Sequence, residues 1–290
     1  MSIFGDWITD QNLLNTLSTE FKEAEPFSHV IIPNFFKDDI AEYIHKIFPT
    51  PIDNSSSEWK QQGWHVYDNP IEGKLALDDL NKMGEIDAIL TTMWEELEST
   101  FLINKIGEIT NISNLEKDPY RHGAGLHYYP SKGKLEMHLD YSIHPITQKE
   151  RRLNLLIYMN KDWKEEWNGK LELWQGTDKE MTAGPIANIM PLFNQAVIFR
   201  TTDISWHGMP KPLQCPMHIG RKSIAIYYVS NPRTEATQRY KASFLPTPDN
   251  NIRKTDEFEG YMQLCKIRTS RRIEDNDIKT YMTEWKTRWS

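Results

Sequence analysis

Apolar residues recur at helical spacing through the first part of the chain, up to about residue 115. The pattern predicts helices over Leu13–Phe21, Ile40–Ile47 and Ile86–Phe101, and one buried strand in the segment FSHVIIPNFF. The polar, turn-rich stretch Pro49–Gly73 predicts a long loop. This part of the chain is therefore expected to be mainly helical.

The pattern changes between about Pro119 and Ser230, where short apolar runs are separated by Gly, Pro and Asn. Strands are predicted at GLHYYP, LEMHLDYSI, RLNLLIYMN, GKLELWQ, ANIMPLF, QAVIFR and RKSIAIYYVS. So many short strands in succession are typical of a β-sandwich or jelly roll. We therefore predict a mainly β fold with flanking helices.

The chain becomes polar again after Asn231, and its final segment DIKTYMTEWKTRW predicts an amphipathic helix. Tyr281, Trp285 and Trp289 are four residues apart, so this helix would bear them on one face, packed against the β core or a partner. Three regions follow: a helical or mixed region that packs on the core (1–118), the β core (119–230) and a C-terminal extension that ends in a helix (231–290).

Composition narrows the class of protein. A hydrophobic share of 39% in 290 residues indicates a folded chain, and a net charge of −7 without a dense basic cluster argues against nucleic acid as a partner. Cys215 and Cys265 form no CxxC pattern, which favours a reducing compartment. The N-terminus does not resemble a signal peptide, and no apolar run is long enough for a membrane span. We expect a cytoplasmic protein, and its oligomeric state stays open.

A candidate metal site begins at His138-Leu139-Asp140, because residues two apart in a strand point to the same side. This short motif also occurs by chance. His207 follows at the end of a later strand, before a Gly/Pro turn. Two imidazoles and one carboxylate form the facial triad that leaves open positions on iron(II). A zinc site with the same ligands is the alternative.

Arg221 favours iron over zinc. It begins the strand RKSIAIYYVS and is expected to face the same interior as His207, whereas alternation places Lys222 on the opposite face, with solvent. A buried guanidinium is costly unless it meets an anion, and its planar fork suits a carboxylate. 2-Oxoglutarate satisfies both sites, since its oxoacid end chelates iron(II) and its distal carboxylate meets Arg221.

The run Tyr129–Val229 resembles the double-stranded β-helix of the prolyl 4-hydroxylase-like iron(II)/2-oxoglutarate oxygenases, most closely the oxygen-sensing prolyl hydroxylase branch. The matching pieces, in the family's order, are YPSKGKLEMHLD, LNLLIYMNKDW, NGKLELWQ, ANIMPLFNQAVIF, WHGMPKP and GRKSIAIYY. The resemblance implies a double-stranded β-helix (jelly roll or cupin-like) core with N-terminal helices and a C-terminal extension. The family usually has Gly-Gly where this chain has Asn168-Gly169.

The resemblance also implies roles for individual residues. The His-Asp-His triad matches the family's iron ligands, and Arg221 matches its cosubstrate arginine. Tyr129 and Tyr158 match tyrosines of the cosubstrate pocket, and Asn154 shares the strand face of Tyr158, which makes it a further candidate contact to the oxoacid. The implied cofactors are iron(II), 2-oxoglutarate as cosubstrate and O2, with ascorbate as an optional addition. Asp140, where a halogenase-type site would have a small residue, favours oxygen insertion.

The resulting hypothesis is a dioxygenase that couples oxidative decarboxylation of 2-oxoglutarate, to succinate and CO2, with oxidation of a substrate C–H bond. Hydroxylation of a prolyl residue or of a small amino-acid-like metabolite is the expected reaction. Desaturation or oxidative cyclisation would need the same residues, and a cupin-like metal hydrolase or a non-catalytic binding module are rivals from other classes. The Pro49–Gly73 segment and the tail after Asn231 are expected to complete the substrate wall.

Overall fold

Strands from every region of the chain join one curled, antiparallel sheet. The computed structural model describes residues 2–50, 56–177 and 179–289. Its strands are β1 (His29–Ile32), β2 (His65–Asp68), β3 (Glu72–Leu77), β4 (Glu116–Lys117), β5 (Gly125–Tyr129), β6 (Lys134–Leu139), β7 (Glu150–Tyr158), β8 (Leu171–Trp174), β9 (Ala187–Ile189), β10 (Gln195–Arg200), β11 (Trp206–Met209), β12 (Arg221–Ser230) and β13 (Ser243–Phe244).

The strand order is β1-β10-β7-β12-β5-β3-β6-β11-β8-β9, and β2, β4 and β13 pair at the side with β3, β12 and β6. The core is a double-stranded β-helix, as the sequence predicted. The α-helices of the described residues are α1 (Gln11–Glu23), α2 (Asp38–Ile47), α3 (Ser56–Gln61), α4 (Leu80–Ile86), α5 (Ala88–Leu97), α6 (Thr100–Thr110), α7 (Phe258–Arg268) and α8 (Asp275–Tyr281). None of them is both long and apolar enough to cross a membrane.

Side chains along the long central strands point alternately into the apolar core and into an interior cavity. In β7, Leu155 and Ile157 belong to the apolar core, whereas Asn154 and Leu156 line an interior cavity. β12 follows the same rule, and its Arg221 faces the cavity. The sheet can therefore be apolar on its outer face and chemically functional on its inner face.

The N-terminal helices cover that apolar outer face. α1 begins where the Asp10 carboxylate accepts hydrogen bonds from the backbone N–H groups of two first-turn residues, which satisfies donors that a helix end leaves free. Its apolar stripe of Leu14, Leu17 and Phe21 is buried in the same cluster as the outward side chains of β7. This packing fixes the strands that carry the site.

Two local predictions were wrong. Of the predicted Pro49–Gly73 loop, residues 51–55 lie outside the described residues, but from Ser56 onward the chain forms α3, β2 and the start of β3. At the other end, the predicted terminal helix ends at Tyr281, so Trp285 and Trp289 lie beyond it and share no helical face with Tyr281. The boundaries proposed for the three regions stay predictions, since β3 of the first and β13 of the last both pair with core strands.

Candidate metal centre and its cavity

Sheet pairing brings the two histidines of the candidate triad together. His138 on β6 is directly opposite His207 on β11, and Asp140 follows β6 immediately. The Nε2 atom of His207 lies 3.3 Å from one Asp140 carboxylate oxygen, and Nε2 of His138 lies 3.7 Å from the other. Ligand atoms of all three residues lie within 4.8 Å of one another. One cation could contact all three.

Backbone carbonyls fix the orientation of both imidazoles. Nδ1 of His138 lies 3.0 Å from the carbonyl oxygen of Glu136, and Nδ1 of His207 lies 2.9 Å from that of Ser205. A carbonyl oxygen only accepts, so in each neutral ring Nδ1 carries the proton and Nε2 keeps its lone pair. Both lone pairs face Asp140, which is the arrangement that a metal requires.

The protonation states also suit a cation. Burial, aided by the neighbouring His207, lowers the pKa of His138 to about 3, so this ring is neutral at ordinary pH. Burial alone would raise the pKa of Asp140, but Arg151 and His207 outweigh it and hold that pKa well below its ordinary value. A neutral imidazole at His138 and an ionised carboxylate at Asp140 are donors of the kind that non-haem iron(II) takes.

Two residues of β7 hold the Asp140 carboxylate. Its Oδ2 accepts a hydrogen bond of 2.7 Å from the Asn154 side chain and lies 3.0 Å from the Arg151 guanidinium. Arg151 also donates to Asn154 at 2.8 Å and stacks 3.2 Å from the centre of the Tyr227 ring. The structure thus places Asn154 beside the metal carboxylate, and its predicted contact with the oxoacid stays a prediction.

Sequence reasoning missed Arg151. The only local signal is the charged run Glu150-Arg151-Arg152 at the start of a strand whose remainder is mostly apolar and buried. A buried arginine needs an anion, but its partner Asp140 lies on another strand and cannot be identified from the spacing.

Arg221 lies at the far side of the same cavity, and it is only 4% exposed. Its Nε donates to the carbonyl oxygen of Gly169 at 2.9 Å, and its guanidinium lies 4.7 Å from the ring centre of Tyr158 and 5.3 Å from that of Tyr129. Among the described residues, no carboxylate oxygen lies within 4.0 Å of it. The predicted cosubstrate residues therefore lie together: Tyr129 and Tyr158 flank Arg221, whose guanidinium has no carboxylate partner among the described residues.

The Asn168-Gly169 turn explains how the chain tolerates its departure from Gly-Gly. Asn168 has φ 59° and ψ −151°, a backbone conformation that strongly favours glycine. Its side-chain amide donates to the carbonyl oxygen of Pro212 at 2.9 Å, which stabilises the turn. Gly169 has φ 85°, in the left-handed region that favours glycine, and a Cβ there would also lie 2.8 Å from the Leu213 side chain. The turn positions the Gly169 carbonyl oxygen, which accepts the hydrogen bond from Arg221.

The cavity has a volume of about 300 Å³, and elements outside the predicted core complete its wall. Tyr67 of β2 and three residues of β3 line one side. Phe244 of β13 stacks on the His138 ring at 5.1 Å, and Arg268 of α7 also reaches the cavity. The structure therefore brings both the Pro49–Gly73 segment and the tail after Asn231 to the site.

Comparisons with known proteins give one family match and several similar solved structures. Residues 124–229 match the family model of the 2OG-Fe(II) oxygenase superfamily. Among curated proteins, no sequence matches the chain. A prolyl hydroxylase from Trichoplax adhaerens, solved with a hypoxia inducible factor peptide fragment, is 15% identical over 77% of this chain and 96% of its own, with a TM-score of 0.45.

Two further solved structures are similar at the same level. A prolyl 4-hydroxylase from Phytophthora capsici is 17% identical over 93% of this chain and 78% of its own, with a TM-score of 0.48. HygX from Streptomyces hygroscopicus, solved with nickel, 2-oxoglutarate and hygromycin B, is 13% identical over 79% of this chain and 89% of its own, with a TM-score of 0.44.

The family match spans the segment that carries His138, Asp140, His207 and Arg221. The matched segment, a little over a third of the chain, is therefore similar to the 2OG-Fe(II) oxygenase superfamily, a class of enzymes that use iron(II) and 2-oxoglutarate. The His-Asp-His donor set fits that metal, because ligand atoms of all three residues lie within 4.8 Å of one another and the pKa values of His138 and Asp140 are both lowered.

Proposed function

We propose that the protein hydroxylates a C–H bond of a prolyl residue or of a small amino-acid-like molecule, with 2-oxoglutarate and O2 as cosubstrates. The observation that carries this proposal is that one cavity contains both the triad and an arginine without an anion, Arg221. Prolyl hydroxylases among the similar structures, and the matching motifs YPSKGKLEMHLD and LNLLIYMNKDW, support a prolyl or related substrate.

The residues of the chain have separable tasks in this proposal. His138, Asp140 and His207 hold the iron, and the iron supplies the redox chemistry that couples decarboxylation of 2-oxoglutarate with C–H oxidation. Arg221 binds the distal carboxylate through a charge-assisted pair. Tyr158, whose hydroxyl is buried without a hydrogen-bond partner among the described residues, is positioned to donate to the same anion.

Spectroscopy under anaerobic conditions tests the proposal. Iron(II) and 2-oxoglutarate together are expected to give the weak visible charge-transfer band of a chelated oxoacid, and admission of O2 should yield succinate. Iron(II) with succinate in place of 2-oxoglutarate is the control and should give no band. A protein that binds iron(II) but never shows the band would not be a 2-oxoglutarate oxygenase.

We also propose that the protein works in a reducing, cytoplasmic compartment. Cys215 and Cys265 are free and buried, and burial raises the pKa of the Cys215 thiol to about 11, which keeps it protonated. Fractionation of cells that produce the protein would test this location, and recovery from an oxidising compartment would contradict it.

A further inference from the structure

The cavity contains another cation, Lys74, whose one neighbouring carboxylate, that of Glu72, is shared with Arg268. β3 lies between β5 and β6, and its alternate residues Glu72, Lys74 and Ala76 line the cavity. The Lys74 side chain is only 14% exposed. Its nearest carboxylate is that of Glu72, with Nζ and Oε2 4.0 Å apart, which is too long for a hydrogen bond.

Glu72 is already engaged by another residue. The Arg268 guanidinium donates through Nε to one Glu72 oxygen and lies 3.5 Å from the other. The Lys74 ammonium makes a cation–π contact with the Tyr67 ring, whose centre lies 5.2 Å from Nζ. It has no hydrogen-bond acceptor among the described residues. Burial lowers the pKa of Lys74, although Glu72 opposes this. An unsatisfied buried ammonium is costly, so its presence calls for an anion.

The outer part of the cavity is also cationic. Lys241 and Arg272 line it, and among the described residues neither has a carboxylate oxygen within 4.0 Å. Arg272 instead lies 5.0 Å from the centre of the Tyr67 ring, and its NH1 is 3.4 Å from Nδ1 of His65. The chain as a whole carries a net charge of −7, so this local excess of positive charge is not a consequence of composition. It attracts an anion to the mouth.

We propose that Lys74 binds a carboxylate or phosphate group of a small-molecule substrate and holds that substrate beside the metal triad. This inference rests on the proposed function, in which Arg221 is occupied by 2-oxoglutarate. β3 and β12 lie on either side of β5, so the two cations stand on separate strands of the wall and can serve two different anions.

The size of the cavity favours a small molecule over a folded partner. About 300 Å³ must hold 2-oxoglutarate and the reacting part of the substrate together, and this volume is at the lower end for ligand sites. Lys74 is a compact point charge and suits a carboxylate or a phosphate equally. A free amino acid, with its carboxylate close to the oxidised carbon, is the simplest molecule that meets these conditions.

Matched pairs of compounds test the charge requirement. Free L-amino acids are compared with their amides, glucose 6-phosphate with glucose, and AMP with adenosine. Each is added to the anaerobic iron(II)/2-oxoglutarate complex, with the shift of the visible band as the binding signal and succinate formation after O2 as the second readout. We expect only the anionic member of a pair to respond, and the responding pair tells whether carboxylate or phosphate is the ligand.

Variants of Lys74 connect the response to this residue. Lys74→Met and Lys74→Gln should raise the half-saturating concentration of the responding compound about tenfold or more, and Lys74→Arg should stay within a few-fold of the unaltered protein. Tm should change little in these variants, because Arg268 still engages the Glu72 carboxylate. Arg268→Met is the structural control, because it leaves the buried Glu72 carboxylate without its arginine partner and should lower Tm.

Three results would overturn the inference. The first is an equal response to the neutral member of each pair, and the second is no response to any carboxylate or phosphate while iron(II) and 2-oxoglutarate bind normally. The third is a loss of 2-oxoglutarate affinity in Lys74→Met as large as that in Arg221→Ala, which would make Lys74 a cosubstrate residue. Failure of the proposed function is distinguishable, because the unaltered protein would then show no band at all.

Discussion

The three candidate iron ligands are held in place by the protein itself. Backbone carbonyls orient His138 and His207, while Arg151 and Asn154 fix the Asp140 carboxylate. Such preorganisation matters because a metal site tolerates little positional error, about 0.5 Å. The positioning residues cannot replace a ligand, so loss of any ligand should be much more damaging than loss of another histidine.

The His207→Ala variant tests this difference. It removes one of two imidazole donors from a buried site, and we expect iron(II) affinity to fall and turnover to be abolished while the fold persists. His218→Ala is the matched control, since His218 is exposed. Metal content after dialysis and succinate formation are the measurements. Full activity in His207→Ala would remove this residue from the triad.

Arg221 and its neighbour Lys222 form a natural pair for a second test. Arg221→Ala removes a charge-assisted contact of about 1.5–3 kcal/mol, so the Kd for 2-oxoglutarate should rise roughly 10- to 150-fold. Lys222 faces away from the cavity, with its ammonium 5.7 Å from the Phe48 ring centre, and Lys222→Ala should leave the Kd nearly unchanged. Titration of the charge-transfer band measures both. The reverse order would contradict the assignment of Arg221.

β7 and β12 could be predicted from the sequence, whereas β2 and β3 could not. β7 and β12 are nine and ten residues long and dense in Leu, Ile and Tyr, so their pattern is unmistakable. β3 has the sequence EGKLAL, and its Glu72 and Lys74 point into the cavity where a solvent-facing pattern would be assumed. The contact of Arg151 with Asp140 could not be predicted either, because Arg151 lies on β7 and Asp140 follows β6.

The C-terminal segment departs from its periodic pattern because tertiary contacts prevail. Helical spacing groups Tyr281, Trp285 and Trp289, yet α8 ends at Tyr281 and the chain turns so that Trp289 reaches a buried position. Its ring meets Trp59 edge to face at 5.7 Å, and its Nε1 donates to the carbonyl oxygen of Ser131 at 2.9 Å. Burial of one large indole outweighs two further turns of exposed helix.

Trp289→Ala should therefore destabilise the protein strongly. Loss of a buried indole costs about 3–5 kcal/mol, because a cavity remains and the contact with Trp59 is lost. Tyr281→Ala is the control, since Tyr281 is 40% exposed and the change should cost less than about 0.5 kcal/mol. Urea unfolding of both variants measures these losses in the free energy of unfolding. Equal losses would support a shared helical face instead of the observed turn.

The C-terminal extension ties the regions of the molecule together around the site. Arg288 lies 3.1 Å from Asp68 at the end of β2, and the Tyr261 hydroxyl donates to the buried carboxylate of Glu136 on β6 at 2.5 Å. Arg268 engages Glu72 on β3. These links join α7 and the terminus to the strands that line the cavity, so the extension supports both the fold and the wall of the site.

The ion pair between Arg268 and Glu72 makes a pH-dependent prediction for the stability of the whole protein. Burial, the largest influence, would raise the pKa of Glu72, but Arg268 and Lys74 outweigh it and hold that pKa below its ordinary value. Ionised Glu72 therefore stabilises the fold above about pH 4.5, and this contribution is lost as pH falls through its folded pKa. In Arg268→Met the burial effect should prevail, and the pKa should rise above 4.5.

The variant is then expected to lose about 3–5 kcal/mol at pH 7, where Glu72 is a buried charge without its arginine. Acidification protonates Glu72 in the variant before it does so in the unaltered protein, so the difference between their free energies of unfolding should shrink toward pH 4, by at most about 1.4 kcal/mol per pH unit. Urea unfolding across this range measures the difference, in which other titrating groups cancel. The double variant Glu72→Gln with Arg268→Met, compared with the single variant Glu72→Gln, should show a difference that does not vary with pH, because neither protein has a carboxyl group at position 72. A constant difference in the single variant would mean that Glu72 is stabilised by other groups and that Arg268 does not control its charge.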